Sequence, residues 1–447
     1  MVRRLLSALL LLAVAALAPA GAKNVILMIA DGSGFNSFDA ARMYSQAKPV
    51  YDGPEWIRLA CSTHPLNLSS KPTNSGKQTR SIVYDPAKAW SLTEGYAWLK
   101  SGATDSAAAA TALATGVKTY NNSIGMSDFG KPLTNLHQLA KASGRSTGVV
   151  TTVPWSHATP AGMVAHNISR NNYAEIANEM VFRSGVDVIL GAGHPWYDAK
   201  AERKKVPTAD FVGGLETFRL LAGQKTPFRY LESLEEFEKL ANGTLDLMGK
   251  TRVLGTARVG ETLQQGRPGK GDVKTRPPFA DPLNQGVPNL ATMARGALQV
   301  LARNPKGFFL MIEGGAVDWA NHANQMGRMI EEQLDFNDAV ATVVRWIERN
   351  GGWSKNLLIV TADHETGLLW GPNSATKPFD PLVDNGPGKM PGMAYNYTSH
   401  TRSLVPLFAR GAGAVKLLEF AKRTDPVRGP YVDNTDVFRL IVHAAEL

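Results

Sequence analysis

The chain has 447 residues, 44% of them hydrophobic, a formal net charge of +9 and a single cysteine. One cysteine excludes an intramolecular disulfide framework, so stability must come from a buried core, which a chain of this length can build. The basic excess is mild, and no basic run is interleaved with aromatics. This argues against nucleic-acid specificity and leaves a general attraction for anionic substrates or surfaces.

At the start of the chain, Arg3 and Arg4 precede the apolar run Leu5 to Leu17 and the small residues Ala20-Gly21-Ala22. That order predicts a secretory signal peptide over residues 1–22, with an apolar core too short for a membrane span. Export to the periplasm or the extracellular space follows. No later run approaches a span. Residues 23–447 are then expected to form a single catalytic domain.

Within it, apolar runs rich in β-branched residues predict buried parallel strands at Val25–Ala30, Ser146–Val153, Val186–Leu190, Gly307–Ile312 and Asn356–Thr361, with another strand at Leu404–Ala409. Helical patterns lie between them at Ser106–Ala114, Leu133–Ser143, Tyr173–Arg183, Leu290–Arg303 and Met326–Asn350. The alternation predicts an α/β fold, a doubly wound and mostly parallel central sheet with helices on both faces. Ligands in such sheets sit outside the carboxyl ends of the strands. Residues 62–82, 203–288 and 370–399 are expected as loop insertions, most clearly the Gly-, Pro- and Arg-rich part over 254–288. No internal repeat and no second domain of comparable size is visible.

The segment Thr104-Asp105-Ser106 followed by an alanine-rich run places a serine where a helix should begin. Free N–H groups and the helix dipole favour negative charge there. Such a serine is either a cap, the commoner case, or a nucleophile that must hold a phosphate. The strand ends bear on that choice. Val25–Ala30 leads into Asp31, Ser146–Val153 into His157 and Thr159, Gly307–Ile312 into Glu313, and Asn356–Thr361 into Asp363 and His364. One acid after a strand is ordinary capping; four strands delivering metal-ligand residues to one sheet edge are not. Asp318 and His322 share a helix face at a spacing of four, and His400 precedes the last strand. Aspartate and histidine in these proportions suit zinc. His64, His137, His194 and His443 have no acid partner at metal spacing, and His166 reads as structural. Cys61 opens no Cys-x-Pro-x-Arg pattern. Gly32-Ser33-Gly34 lacks the third glycine of a dinucleotide loop, with Ser37 in its place.

With these residues in place the chain resembles the alkaline phosphatase family. Asn24–Gly34, Thr104–Gly125, His157–Arg170, Glu313–His322, Thr361–Gly367 and His400–Gly411 follow that family's blocks in order. The resemblance implies hydrolysis of small phosphate monoesters at alkaline pH, with broad substrate range, through a phosphoserine on Ser106. It implies two Zn2+ and one Mg2+ per subunit, the third site being open to Zn2+ as well. Asp318, His322 and His400 would hold the first zinc. Asp31, Asp363 and His364 would hold the second, with the Ser106 oxygen facing it. Asp31, Thr159 and Glu313 would hold magnesium. Arg170 would grip the phosphate beside Ser106, and a homodimer is implied. The chain departs from one bacterial version of the family at two substrate-contacting positions, with His157 in place of an aspartate and Trp319 in place of a lysine. These exchanges imply a differently held third ion and a looser grip on phosphate.

Overall fold

The computed structural model describes residues 21–447, so the expected signal peptide lies, but for its last two residues, outside the described residues. The strands in chain order are β1 (Asn24–Ala30), β2 (Ile57–Ser62), β3 (Ser146–Pro154), β4 (Val188–Ala192), β5 (Phe228–Leu231), β6 (Arg252–Thr256), β7 (Phe308–Gly314), β8 (Asn356–Thr361), β9 (Glu365–Thr366), β10 (Leu369–Trp370), β11 (Ala394–Tyr395), β12 (His400–Thr401), β13 (Val405–Gly411), β14 (Arg423–Asp425) and β15 (Gly429–Asp433). Eleven of them form one sheet in the order β14-β15-β2-β13-β8-β1-β7-β3-β4-β6-β5. Pairing is parallel from β8 across to β5, while β13 runs antiparallel to both β8 and β2.

The expected doubly wound architecture is present, and β1 shows why. All seven of its residues are buried. Val25, Leu27 and Ile29 join a core with the helices Ser106–Thr115 and Asn434–Ala445. Ile26, Met28 and Ala30 join a second core on the other face, with the helices Leu290–Leu301 and Met326–Arg349. A strand covered on both faces has no need of polar alternation, which is why it reads as an unbroken apolar run.

Two expectations change. The strand placed at Val186–Leu190 runs from Val188 to Ala192. Part of 203–288 is sheet rather than insertion, because β5 and β6 extend the central sheet at its edge. From Ala257 to Asn289 no helix or strand is formed. That strap is nevertheless anchored by buried charges, Arg267 on Glu331 at 2.7 Å and Arg328 on Asp281 at 3.0 Å. Its backbone lies against Gly327, where a Cβ would clash with the Arg276 carbonyl oxygen. The strap therefore braces the first turn of the helix Met326–Arg349. Residues 63–79 are also irregular, between β2 and a short 3-10 turn at Arg80–Ile82, and fold around the Asp128 carboxylate, which accepts backbone N–H groups from Thr73, Ser75 and Gly76.

His137 illustrates how the core treats a titratable group. Its ring is buried, with Nδ1 2.8 Å from Thr147 Oγ1 and Nε2 2.7 Å from the Ser184 carbonyl oxygen. A carbonyl can only accept, so Nε2 carries a proton. Burial, aided by Lys141, pushes its pKa down to about 4. A histidine whose folded pKa is depressed adds stability that is complete above its unfolded value, near 6.5, and is lost as pH falls from there toward 4. Unfolding free energy from urea titration should therefore drop by about 2 kcal/mol more between pH 7 and pH 5 in the wild type than in His137→Gln. Equal drops would contradict this assignment.

Candidate active site

The sheet register aligns the ligand-bearing strand ends. Ile29 of β1 pairs with Glu313 of β7 on one side and with Thr361 of β8 on the other, and Thr151 of β3 pairs with Glu313. Asp31 and Asp363 each follow that row by two residues, so both emerge beside Glu313 at the carboxyl edge. Because β13 is antiparallel, its first residue lies at the same edge, and the preceding β12 brings in His400. β12 pairs with β9, joining His400 to Thr366 and Thr401 to Glu365.

Asp105, not Ser106, caps the serine helix. Its Oδ1 accepts from Ala108 N at 2.9 Å, and Gly116 closes the far end in the left-handed conformation. This answers the choice left open by the sequence, since a helix needs one N-cap and Asp105 supplies it. Ser106 is free, and its Oγ lies 3.1 Å from His364 Nε2. The second oxygen of Asp105 accepts from Asn122 N at 2.9 Å and pairs with Arg170 Nη1 at 3.1 Å. The capping residue thus also orients the arginine. The helix is alanine-rich because it is buried throughout, packing closely where Gly162 of the helix Ala158–Val164 meets Ala110.

The ligand residues collect into two groups, Asp318 with His322 and His400, and Asp31 with Asp318 and His364. In the first group His322 Nδ1 lies 2.7 Å from the Thr398 carbonyl oxygen and His400 Nδ1 lies 2.8 Å from that of Thr104. Both Nδ1 atoms must donate, which leaves bare lone pairs on the two Nε2 atoms. These face each other at 3.0 Å, with Asp318 oxygens 3.4 and 3.6 Å away. Two lone pairs pointed at one another beside a carboxylate need a cation between them. Thr366 donates to Asp318 Oδ1 at 2.6 Å, fixing the carboxylate.

The second group is deeper. His364 Nε2 lies 3.2 Å from Asp363 Oδ2 and 3.6 Å from Asp31 Oδ1, and neither oxygen has any hydrogen-bond partner. Glu313 Oε1 is likewise buried and unpartnered, while its other oxygen accepts from the Thr151 hydroxyl. Thr159 Oγ1 donates to Asp31 Oδ2 at 3.3 Å, so Asp31, Thr159 and Glu313 also meet. Burial, then repulsion from Asp363, raises Asp31 well above the usual carboxylate range; burial and Asp318 push Asp363 up to about 8. Burial, then His400, depresses His364. Carboxylates that resist ionising beside an imidazole that resists protonation form a donor set completed by a dication, which restores the charge of the two carboxylates and keeps the imidazole neutral. The residues fit the implied metals.

Ser106, Arg170, Asp318, His322 and His400 line one open cleft with His157 and Trp319. The His157 ring lies 5.6 Å from Trp319 and stacks on Tyr173 at 5.9 Å. Burial and the charge of Arg170 push its pKa down to about 3, so His157 is neutral. Every site residue expected from the sequence is brought together. Sequence reasoning missed Asp105, Thr151 and Thr366, which hold Arg170, Glu313 and Asp318, and it missed Lys100, Gln265 and Tyr397 in the cleft wall. The aspartate before the alanine run was a readable cap signal; the others carry no spacing that marks them. His166, bonded to Glu179 and the Leu133 carbonyl, is structural as expected.

Comparison with known proteins points to one family. The profile of the family described as alkaline phosphatase matches residues 22–407. The chain is 34% identical to alkaline phosphatase 4 of Bacillus subtilis over 269 residues, a match covering 59% of this chain and 50% of that protein. It is 28% identical to the alkaline phosphatase of Escherichia coli over 438 residues, covering 90% of this chain and 84% of that one. Among solved structures, Thermus thermophilus alkaline phosphatase aligns with a TM-score of 0.65 at 22% identity, over 95% of this chain and 91% of its own. The chain belongs to the alkaline phosphatase family.

Proposed function

We propose that the protein hydrolyses phosphate monoesters through a covalent phosphoserine at Ser106, and that residues 23–447 act as one catalytic domain. The observation that supports this most is the position of Ser106 Oγ, 3.1 Å from His364 Nε2 at the edge of two cation-ready clusters. Arg170 lines the same cleft, paired with Asp105 beside Ser106, and its guanidinium fork can bind two phosphoryl oxygens. The family is metal-dependent, and two Zn2+ with one Mg2+ is the complement we assign, the third site being able to accept Zn2+. When bound, these ions supply the charge that activates the serine oxygen, stabilises the departing oxygen and makes water nucleophilic at alkaline pH. Asp318, His322 and His400 would hold the first, Asp31, Asp363 and His364 the second, and Asp31, Thr159 and Glu313 the third.

Ser106 Oγ attacks phosphorus while Arg170 and the N–H groups of the helix start hold the equatorial oxygens. The ester bond breaks and the alcohol leaves, taking up a proton. Water then attacks the phosphoserine, releases inorganic phosphate and returns the serine hydroxyl. Two in-line displacements give net retention at phosphorus. His157 and Trp319 border the phosphate, and neither brings a charge to it. Faster product release is the expected consequence. Among the described residues no helix is long and apolar enough to cross a membrane. We further infer export through the segment 1–22 and assembly as a homodimer.

The deciding experiment compares hydrolysis of a phosphate monoester with that of its methyl ester. A monoester rate at least about a hundredfold higher supports the proposal, because a second ester removes an oxygen that Arg170 and the clusters are arranged to bind. A preference for the methyl ester would make the protein a phosphodiesterase.

A further inference from the structure

Lys100 caps the helix Gly95–Leu99 and lines the same cleft as Ser106, His322 and His400. Its Nζ lies 5.3 Å from the centre of the Tyr397 ring and 5.8 Å from that of Tyr96. The other cation of the cleft, Arg170, is paired with Asp105. Lys100 makes no ion pair with any carboxylate among the described residues, whereas the cleft residues Arg170, His322 and His400 pair with Asp105 and Asp318. A half-buried ammonium held over two rings, at the mouth of a reaction cleft and without a counter-ion, is poised for an anion from outside the protein.

Its wall identifies which part of a substrate it would meet. The carbonyl of Thr104, four residues after Lys100, accepts a hydrogen bond from His400 Nδ1, and that of Thr398, next to Tyr397, accepts one from His322 Nδ1. Lys100 and Tyr397 therefore stand on the two segments that orient His322 and His400. Ser106 contacts the other cluster, at His364. In an in-line displacement the leaving oxygen departs opposite the attacking one. Attack from Ser106 sends the alcohol toward His322 and His400, and so toward Lys100.

We propose, resting on the phosphomonoesterase reading, that Lys100 and Tyr397 form a leaving-group subsite for alcohols that carry a second anion, a carboxylate or a further phosphate. The Tyr397 face receives the carbon skeleton and Lys100 pairs with the anion. Arg170 and Ser106 bind the phosphoryl group and do not distinguish one alcohol from another, so this wall is where selectivity arises.

The test uses the full chain and two substrates that differ in one group, 2-phosphoglycerate, with a carboxylate on the alcohol, and glycerol 2-phosphate, with a neutral hydroxymethyl in its place. Lys100→Met keeps the apolar stem on the tyrosine rings and removes the charge. It should lower kcat/KM for 2-phosphoglycerate about fivefold, mostly through KM, and change glycerol 2-phosphate by less than about 1.5-fold. Lys100→Arg should restore most of the difference, and high ionic strength should shrink it in the wild type. Equal effects on both substrates, or none on either, overturn the subsite. A wild-type protein that hydrolyses neither substrate overturns the phosphomonoesterase reading and the subsite with it, an outcome distinct from a missing Lys100 effect.

Discussion

Replacing Ser106 by alanine is expected to lower kcat on a phosphate monoester by at least about a thousandfold, with the fold and the metal content unchanged. The separation of chemistry from stability follows from the local structure. Asp105 supplies the N-cap, so losing the serine hydroxyl costs the helix no capping interaction. Alanine is the better helix former, and Ser106 Oγ has no partner other than His364 Nε2. The residual rate should reflect water attacking a phosphate still held by Arg170 and the metal clusters. A thermal melt within a few degrees of wild type, zinc content equal to wild type and no phosphate retained on the chain after acid quenching would complete the result. Wild-type turnover in this variant would remove Ser106 from the mechanism.

Asp318→Ala is expected to weaken zinc retention more than about a hundredfold and to abolish turnover, because Asp318 belongs to both ligand groups. One oxygen lies 3.4 Å from His322 Nε2 and the other 3.6 Å from His400 Nε2. Without the carboxylate, the facing imidazole lone pairs lose the anion that helps attract a cation. Thr366→Val, which removes only the 2.6 Å hydrogen bond that fixes Asp318, should show the same defect at about a tenth of the size. Zinc per chain after gel filtration, measured beside the rate, separates lost metal from lost chemistry. Full zinc content in Asp318→Ala would contradict the assignment of this residue.

How far the sequence could be read depended on whether a signal was local. β1, β3, β7 and β8 were legible because strands buried on both faces spell out apolar runs, and the acids that follow them stand out. The short edge strand β5 and the interior strand β2 were not. β5 has only four residues with an arginine among them, and β2 contains Arg58. Their pairing depends on neighbours far along the chain. The helix Phe35–Ser45 also escaped, since Gly34 offers no side-chain cap and its buried face is Ser37, Phe38, Ala40 and Ala41, a weakly apolar stripe. In the site, Asp31, Asp363 and His364 could be expected from their place after strands. That Asp318 belongs to both groups, that Asp105 holds Arg170 and that Lys100 stands beside Tyr397 are facts of three-dimensional proximity, with no spacing to announce them.

The proposed phosphoserine mechanism depends on cations held by two donor clusters, one half-buried at His322 and His400 and one fully buried at Asp31 and His364. The most direct measurement is phosphate-monoester hydrolysis by the purified protein at alkaline pH, before chelation, after it, and after zinc and magnesium are returned separately and together. Chelation should abolish the activity, zinc should restore it in large part, and both metals together should restore it in full. Undiminished activity in a protein shown by elemental analysis to be free of metal would contradict that mechanism.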